Sequence, residues 1–352
     1  MIKRNYGKGM TNVSNIEKLY SGRTVFFGDL HNHSNSGGTS DGQCTLSEWR
    51  EGMKVLGMDF VSILDHKQVR HMYLPEWEDG VFIGGSEPGT EITDSNARNK
   101  GIHYNMIFEG PKPLEKLLET FTEFEFEGGA EGHFIYPNFT RARMCELIQF
   151  IKDNGGFFVY PHPKLIMDAD DPLEYFFAEE TGFEVFYRDM KDEQTEMNYV
   201  LWCELLKLGK RLWACAGEDR HSVPTTDALT TIYAEEKKNS SYIARLRVGD
   251  FVCGSVGIKM AIGDTAMGGK CDFAGEKLEV QVADFHKSIL KDGHTYKMLL
   301  INDEGIVCEE KVYADKVNDF TFEIKNCKFY RVEIFDETEN LRIAIGNPIW
   351  NA

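Results

Sequence analysis

The chain has 352 residues and a formal net charge of −18, which argues against a general affinity for nucleic acid or an anionic membrane, since phosphates repel such a surface. Hydrophobic and charged fractions of 42% and 27% match an ordinary globular chain, so a sizeable core is expected, in two domains or one large one with an appendage. The 8 cysteines form no Cys-x-x-Cys pair, which excludes a zinc ribbon or a thioredoxin-like motif, and no apolar leader or run of about 18 apolar residues appears, so a soluble cytoplasmic protein is expected.

Thr24–Leu30 is an apolar run of strand length, leading into Gly28-Asp-Leu-His-Asn-His-Ser34. Thr45–Met58 reads as a helix, with Leu46, Trp49, Met53, Val55 and Leu56 roughly on one side and Gly57 near its end. Phe60–Leu64 is a second strand, closed by Asp65-His66, and Val81–Ile83, Gly89–Thr93 and His103–Phe108 are further strand candidates. Leu114–Phe124 and Arg141–Asp153 look helical, the second stopped by Asn154-Gly155-Gly156. Residues 125–138 are glycine-rich and aromatic without a clear period, either a loop over a site or a surface connection. Phe157–Tyr160 and Phe183–Phe186 read as strands, Glu193–Leu208 as a helix and Leu212–Ala216 as a strand. Alternating β and α units imply a parallel sheet with helices outside, open or closed into a barrel.

The last third changes character. Lys277–Phe285, Tyr296–Ile301, Ile306–Tyr313, Asp319–Ile324, Phe329–Phe335 and Leu341–Ile345 are short strands separated by turn signals, so a small all-β sandwich is expected. The polar stretch Glu235–Ser241 marks the boundary.

Side chains two apart on a strand share a face, so His31 and His33 can chelate a divalent ion. Six of the 10 histidines sit at or just beyond a strand's C-terminal end: His31, His33, His66, His103, His162 and His221. Asp41, Asp65, Glu91 and Asp219 accompany them, and in parallel α/β folds those strand ends converge on the face that carries the chemistry.

The order of these motifs, from His-x-His through Asp-His and a lone Glu to Asp-x-His, resembles the polymerase and histidinol phosphatase (PHP) superfamily over roughly residues 24–235. The resemblance implies a distorted (β/α)7 TIM-like barrel over residues 24–240, between an N-terminal extension (1–23) and the β-sandwich domain (241–352), with two to three divalent metal ions. Carried over by motif, His31, His33, Glu91 and Asp219 would hold one ion, and Asp41, His66 and His221 a second. Glu91 as a bridge, with His103 and His162, would hold a third. Asp41 follows His33 by 8 residues, a longer interval than is usual for the family. Asp65 would orient a ligand, since metal-bound histidines usually donate their other N–H. Tyr330–Asp336 and Ala344–Trp350 further resemble the end of the superfamily's carbaryl-hydrolase-type branch.

Mixed imidazole and carboxylate ligation suits zinc, manganese or iron. Such a site implies a phosphoesterase acting on a small phosphate ester through a metal-bridging hydroxide. Lys67 and Arg220 are the nearest basic residues. Each either binds a phosphate oxygen or points away and pairs on the surface, because neighbours on a strand face opposite sides. Two other readings are open: hydrolysis of a carboxylic ester, carbamate or amide, or a non-catalytic metal-binding protein. The expected partner is a small phosphate ester or another small ester, with no nucleic acid and no membrane.

Overall fold

Most of the apolar runs become strands, and the histidine motifs lie where those strands end. The computed structural model describes residues 14–38, 40–97, 100–127, 133–163, 172–287 and 289–352; the first part of the expected N-terminal extension and the middle of the 125–138 segment lie outside these residues. Helix α1 (Asn15–Leu19) precedes β1 (Thr24–Asn32), and α2 (Leu46–Leu56) connects it to β2 (Phe60–Ile63) and β3 (Phe82–Ser86). A small ladder, β4 (Gly89–Glu91) with β5 (Gly101–His103), leads to β6 (Asn105–Phe108) and α3 (Pro111–Thr120). A second ladder, β7 (Glu125–Glu127) with β8 (His133–Ile135), precedes α4 (Arg141–Asp153) and β9 (Phe157–Tyr160). Then come β10 (Thr181–Tyr187), α5 (Glu193–Lys207), β11 (Leu212–Gly217) and β12 (Thr230–Ala234).

Seven strands lie side by side in the order β11-β10-β9-β6-β3-β2-β1. β1, β2 and β3 are mutually parallel, as are β9, β10 and β11. β6 departs from the parallel sheet expected and runs antiparallel to both β3 and β9. Among the described residues no helix separates β3 from β6, and a parallel return needs a crossover of a dozen or more residues, usually helical. Beyond the end of β11, Asp219 N–H donates to the His31 carbonyl and His33 N–H to the Arg220 carbonyl, both at 2.8 Å. These two bonds tie the exits of the first and seventh positions of this sheet together.

Helix α2 shows how local chemistry aims the site. Thr45 and Glu48 form a capping box, and Gly57 stops the helix in the left-handed region at φ 70°. The face it buries carries Leu46, Trp49 and Met53, whereas Val55 points to solvent. The Trp49 indole N–H donates to the His33 carbonyl at 3.2 Å, fixing the helix to the strand end that carries the first histidines.

The chain continues through α6 (Asn239–Leu246), β13 (Phe251–Gly254), β14 (Gly257–Ile262), β15 (Thr265–Ala266), β16 (Lys270–Cys271) and β17 (Lys277–Ala283). It ends with β18 (Tyr296–Asn302), β19 (Gly305–Val312), β20 (Asn318–Glu323), β21 (Phe329–Asp336) and β22 (Leu341–Asn351). The main sheet does not stop at the expected boundary: from β1 it passes to β12, β13, β22, β21, β18 and β19. A second sheet, β15-β14-β17-β20, packs on that arm, and Ile258, Val280, Met298, Val332 and Ile334 from the two layers share one apolar core with Ile16 and Tyr20 of the N-terminal segment. Within the polar stretch at 235–241, Asn239 is buried; its amide donates to the Phe82 and Glu109 carbonyls, and its side-chain oxygen accepts from Gly80 N–H. No helix among the described residues is long and apolar enough to cross a membrane.

Candidate metal centre

Strand ends supply the donors. His31 lies in β1 and His33 one residue beyond it, so both rings fall on one side, with centroids 5.3 Å apart. His66 follows β2, Glu87 directly follows β3, His103 ends β5, His162 follows β9, and Asp219 and His221 follow β11. Three groups of donor atoms result, each with its atoms within 4.8 Å of one another: His33, Asp41, His66 and His221; His31, His33, Glu87 and Asp219; Glu87, His103 and His162.

Glu87 stands at the centre. One oxygen, Oε1, faces His162 Nε2 at 2.8 Å and His103 Nδ1 at 2.9 Å; the other, Oε2, faces His31 Nε2 at 3.0 Å and His33 Nε2 at 3.3 Å. Asp219 Oδ1 lies 3.0 Å from His33 Nε2, and its Oδ2 accepts from the Tyr187 hydroxyl at 2.9 Å. Asp41, about half exposed, brings Oδ2 to 3.3 Å from His221 Nε2 and 3.9 Å from His66 Nε2.

Backbone and carboxylate acceptors fix the rings. His66 Nδ1–H donates to the Glu87 carbonyl and His221 Nδ1–H to the Asp219 carbonyl, each at 3.0 Å. His31 Nδ1 pairs with Glu184 Oε1 at 3.0 Å, and Glu184 Oε2 accepts from His162 N–H at 2.6 Å. With Nδ1 protonated, these three rings turn a bare Nε2 towards the donor groups, which is how protein imidazoles are presented to a metal.

The electrostatics agree. Burial disfavours charge on His31, yet Glu87, Asp219 and Glu184 outweigh it and hold its pKa well above the usual imidazole range. His33 is likewise desolvated, but its bonds to Asp219 and Glu87 push it up to about 9. Burial alone would raise Glu87; the charge of His31 and the hydrogen bonds from His103, His162 and His31 hold it well below the carboxylate range. Without an ion, the buried carboxylates favour protonated His31, His33 and His162, whereas burial lowers the pKa of His66, and a divalent cation would take the place of those protons. The donor set of imidazole nitrogens and carboxylate oxygens, with His33 Nδ1 buried, without a hydrogen-bond partner and 4.0 Å from Asp41 Oδ1, fits zinc, manganese or iron.

Four expected residues fall elsewhere. Glu91 ends β4, exposed, outside the three groups, whereas Glu87 lies in two of them. The third strand ends at Ser86, and Glu91 lies on the ladder beyond. Asp65 does not face the donor groups: its carboxylate accepts from Ser34 N–H at 2.6 Å, Ser34 Oγ at 2.8 Å, Ser36 Oγ at 2.5 Å and His71 Nδ1 at 3.1 Å, clamping the loop that leads to Asp41. Arg220 is turned away, its guanidinium bonded to Glu218 at 3.1 Å and Asp227 at 3.0 Å. Lys67 is exposed just past His66, with a left-handed backbone at φ 57°. The other eight expected ligands, His31, His33, Asp41, His66, His103, His162, Asp219 and His221, come together. Missed were Glu87, Glu184 and Tyr187. Glu184 carried a signal, a carboxylate within the apolar run Phe183–Phe186.

The fold and these groups define a class: an α/β protein with a candidate multinuclear His/carboxylate metal centre at its strand ends. In the order and convergence of its motifs the chain resembles the PHP superfamily. No protein-family model and no curated protein matches it. Similar solved structures include the following two. One is a two-domain protein from Bacteroides vulgatus containing a predicted PHP-like metal-dependent phosphoesterase, 16% identical over 94% of this chain and 96% of that one, with a TM-score of 0.45. The other is Endonuclease Q in complex with a 27-mer duplex substrate bearing an abasic lesion, 15% identical over 65% of this chain and 58% of that one, with a TM-score of 0.41. The second corrects the expectation that nucleic acid is excluded as a partner: a structure similar to this chain holds duplex DNA as substrate. A net charge of −18 does not by itself exclude such a partner, because a local site need not share the sign of the whole surface.

Proposed function

We propose that the chain is a metal-dependent phosphoesterase of the PHP type. One observation carries this reading: the buried Glu87 carboxylate is shared between two donor groups, one oxygen to each. Divalent ions held there would supply the positive charge that activates water and neutralises phosphoryl oxygens. The chain's own residues do the rest. Glu184 and the Glu87 and Asp219 carbonyls orient His31, His66 and His221. The Tyr187 hydroxyl fixes Asp219, and Lys67 stands beside His66 as a cation for the substrate. The seven adjacent strands, tied at β1 and β11, support closure into the distorted barrel, and the two-layered arm beyond β13 supports a β-sandwich over residues 241–352.

The test is turnover by the manganese- or zinc-reconstituted chain of a phosphomonoester, a phosphodiester, a carboxylic ester and a DNA duplex with an abasic site. Metal-dependent hydrolysis of any phosphate ester is the expected result, and the preferred member gives the substrate class. Hydrolysis of the carboxylic ester alone by a fully metal-loaded sample would overturn the reading.

A further inference from the structure

Seven non-glycine residues among those described have positive φ, and four stand just past the ends of parallel strands: Lys67, His162, Arg188 and Asp219. His162 and Asp219 belong to the donor groups. Left-handed backbone at a residue with a large side chain is costly and persists where the surroundings enforce it, commonly at functional sites.

Arg188 is the centre of a tight turn at the exit of β10. Asp189 N–H donates to the Tyr187 carbonyl at 2.7 Å, two residues back, and φ at Arg188 is 61°, the rarer and more strained hand of such a turn. Its neighbours hold it in place. Arg188 N–H donates to the Gly217 carbonyl at 3.1 Å. The buried Thr195 hydroxyl accepts from Tyr187 N–H at 2.9 Å and donates to the Asp189 carbonyl at 2.8 Å.

This turn lays the exposed guanidinium over the Tyr187 ring, with Cζ 5.0 Å from the centroid. The same tyrosine donates its hydroxyl to Asp219 at 2.9 Å and meets the His162 ring edge-on at 5.5 Å. One ring thus joins Arg188 to two of the donor groups. A stacked guanidinium keeps its fork of N–H donors free, and that fork matches two oxygens of a phosphoryl group. Among the described residues no carboxylate pairs with Arg188, in a chain of 57 acidic and 39 basic residues where Arg220, Arg331 and Arg342 are all ion-paired.

We propose that Arg188 recognises the phosphoryl oxygens of the substrate, a role that rests on the phosphoesterase reading and falls to neither Arg220 nor an exposed lysine alone. The experiment is calorimetric titration of inorganic phosphate into the manganese-reconstituted full chain, comparing wild type with Arg188→Asn and Arg188→Lys. Asparagine tolerates the left-handed backbone and removes the guanidinium; lysine keeps the charge without the fork. Arg188→Asn is expected to weaken phosphate binding about tenfold or more, the scale of losing one charge-assisted bidentate contact, with metal content and melting temperature unchanged. Arg188→Lys should fall between the two, and KM for a phosphate ester should rise more than kcat falls. Wild-type phosphate affinity in Arg188→Asn would overturn the proposal while leaving the phosphoesterase reading intact. Loss of metal from that variant would overturn it by showing a structural role. No phosphate binding by the metal-loaded wild type would overturn both.

Discussion

At the scale of single residues, the site is a balance between desolvation and charge, and Asp65 shows how it can be tested. Burial alone would raise its pKa, but the imidazole of His71 and the donors on Ser34 and Ser36 hold it at about 2. An unfolded aspartate titrates near about 3.9. A depressed folded pKa means that the stabilisation is present above the unfolded value and is lost as pH falls through the folded one. The metal-free protein should therefore lose stability between about pH 4 and pH 2, and Asp65→Asn should be less stable near neutrality with a flatter acid limb. Urea midpoints across that range check it; parallel curves for the two proteins would show that Asp65 does not clamp the Ser34–Ser36 loop. The residue types were largely readable from sequence, because histidines at strand ends are informative in a parallel sheet. Which glutamate lies among the donor groups, and where the Arg220 guanidinium points, were not. Glu87 and Glu91 differ by 4 positions, and only the true end of β3 chooses between them; Arg220 faces Glu218 because of a local turn that no period encodes.

At the scale of elements, strands and helices with a strong apolar pattern were legible. Arg141–Asp153 and Phe157–Tyr160 fall where their periodicity and length place them. Strands β12, β13 and β14 and helix α6 were not, because β12 and β13 are fully buried runs without alternation and α6 begins in a polar stretch that reads as a linker. The antiparallel turn of β6 was hidden for a different reason: pairing direction depends on the length of the connection, which blurred strand limits conceal. Packing between elements yields its own prediction at Gly217, the last residue of β11. A Cβ there would overlap Glu184 Oε1 and lie 2.6 Å from the His31 Cβ. Gly217→Ala should displace the pair that orients His31, weaken metal binding and cost about 1–3 kcal/mol of stability, as overpacking in a dense core does. Metal titration and chemical unfolding of the variant measure both; wild-type values for each would show that Glu184 does not hold the ring.

At the scale of the whole molecule, one sheet carries the C-terminal arm and, at or beyond its strand ends, every donor but His103, which ends β5 of the small ladder. Its strand ends bring together residues from His31 to His221, so the centre is a product of long-range topology and not of any local motif. The net charge of −18 has a local component here, since Glu87, Glu184 and Asp219 are concentrated among imidazoles at one end of that sheet. Such a concentration is stable only with a compensating cation or with protonated histidines. Sequence conveyed the repeated placing of histidines after strands, but the continuity of the sheet across residue 240 needed the pairing of β12, β13 and β22.

The most direct test is the metal content of the reconstituted wild type beside Glu87→Gln and Glu91→Gln. The expected result is two to three equivalents in the wild type and in Glu91→Gln, with a loss of at least one equivalent in Glu87→Gln, whose neutral amide can no longer serve two donor groups. Full occupancy in Glu87→Gln, or a wild type that retains no metal after reconstitution, would contradict the account.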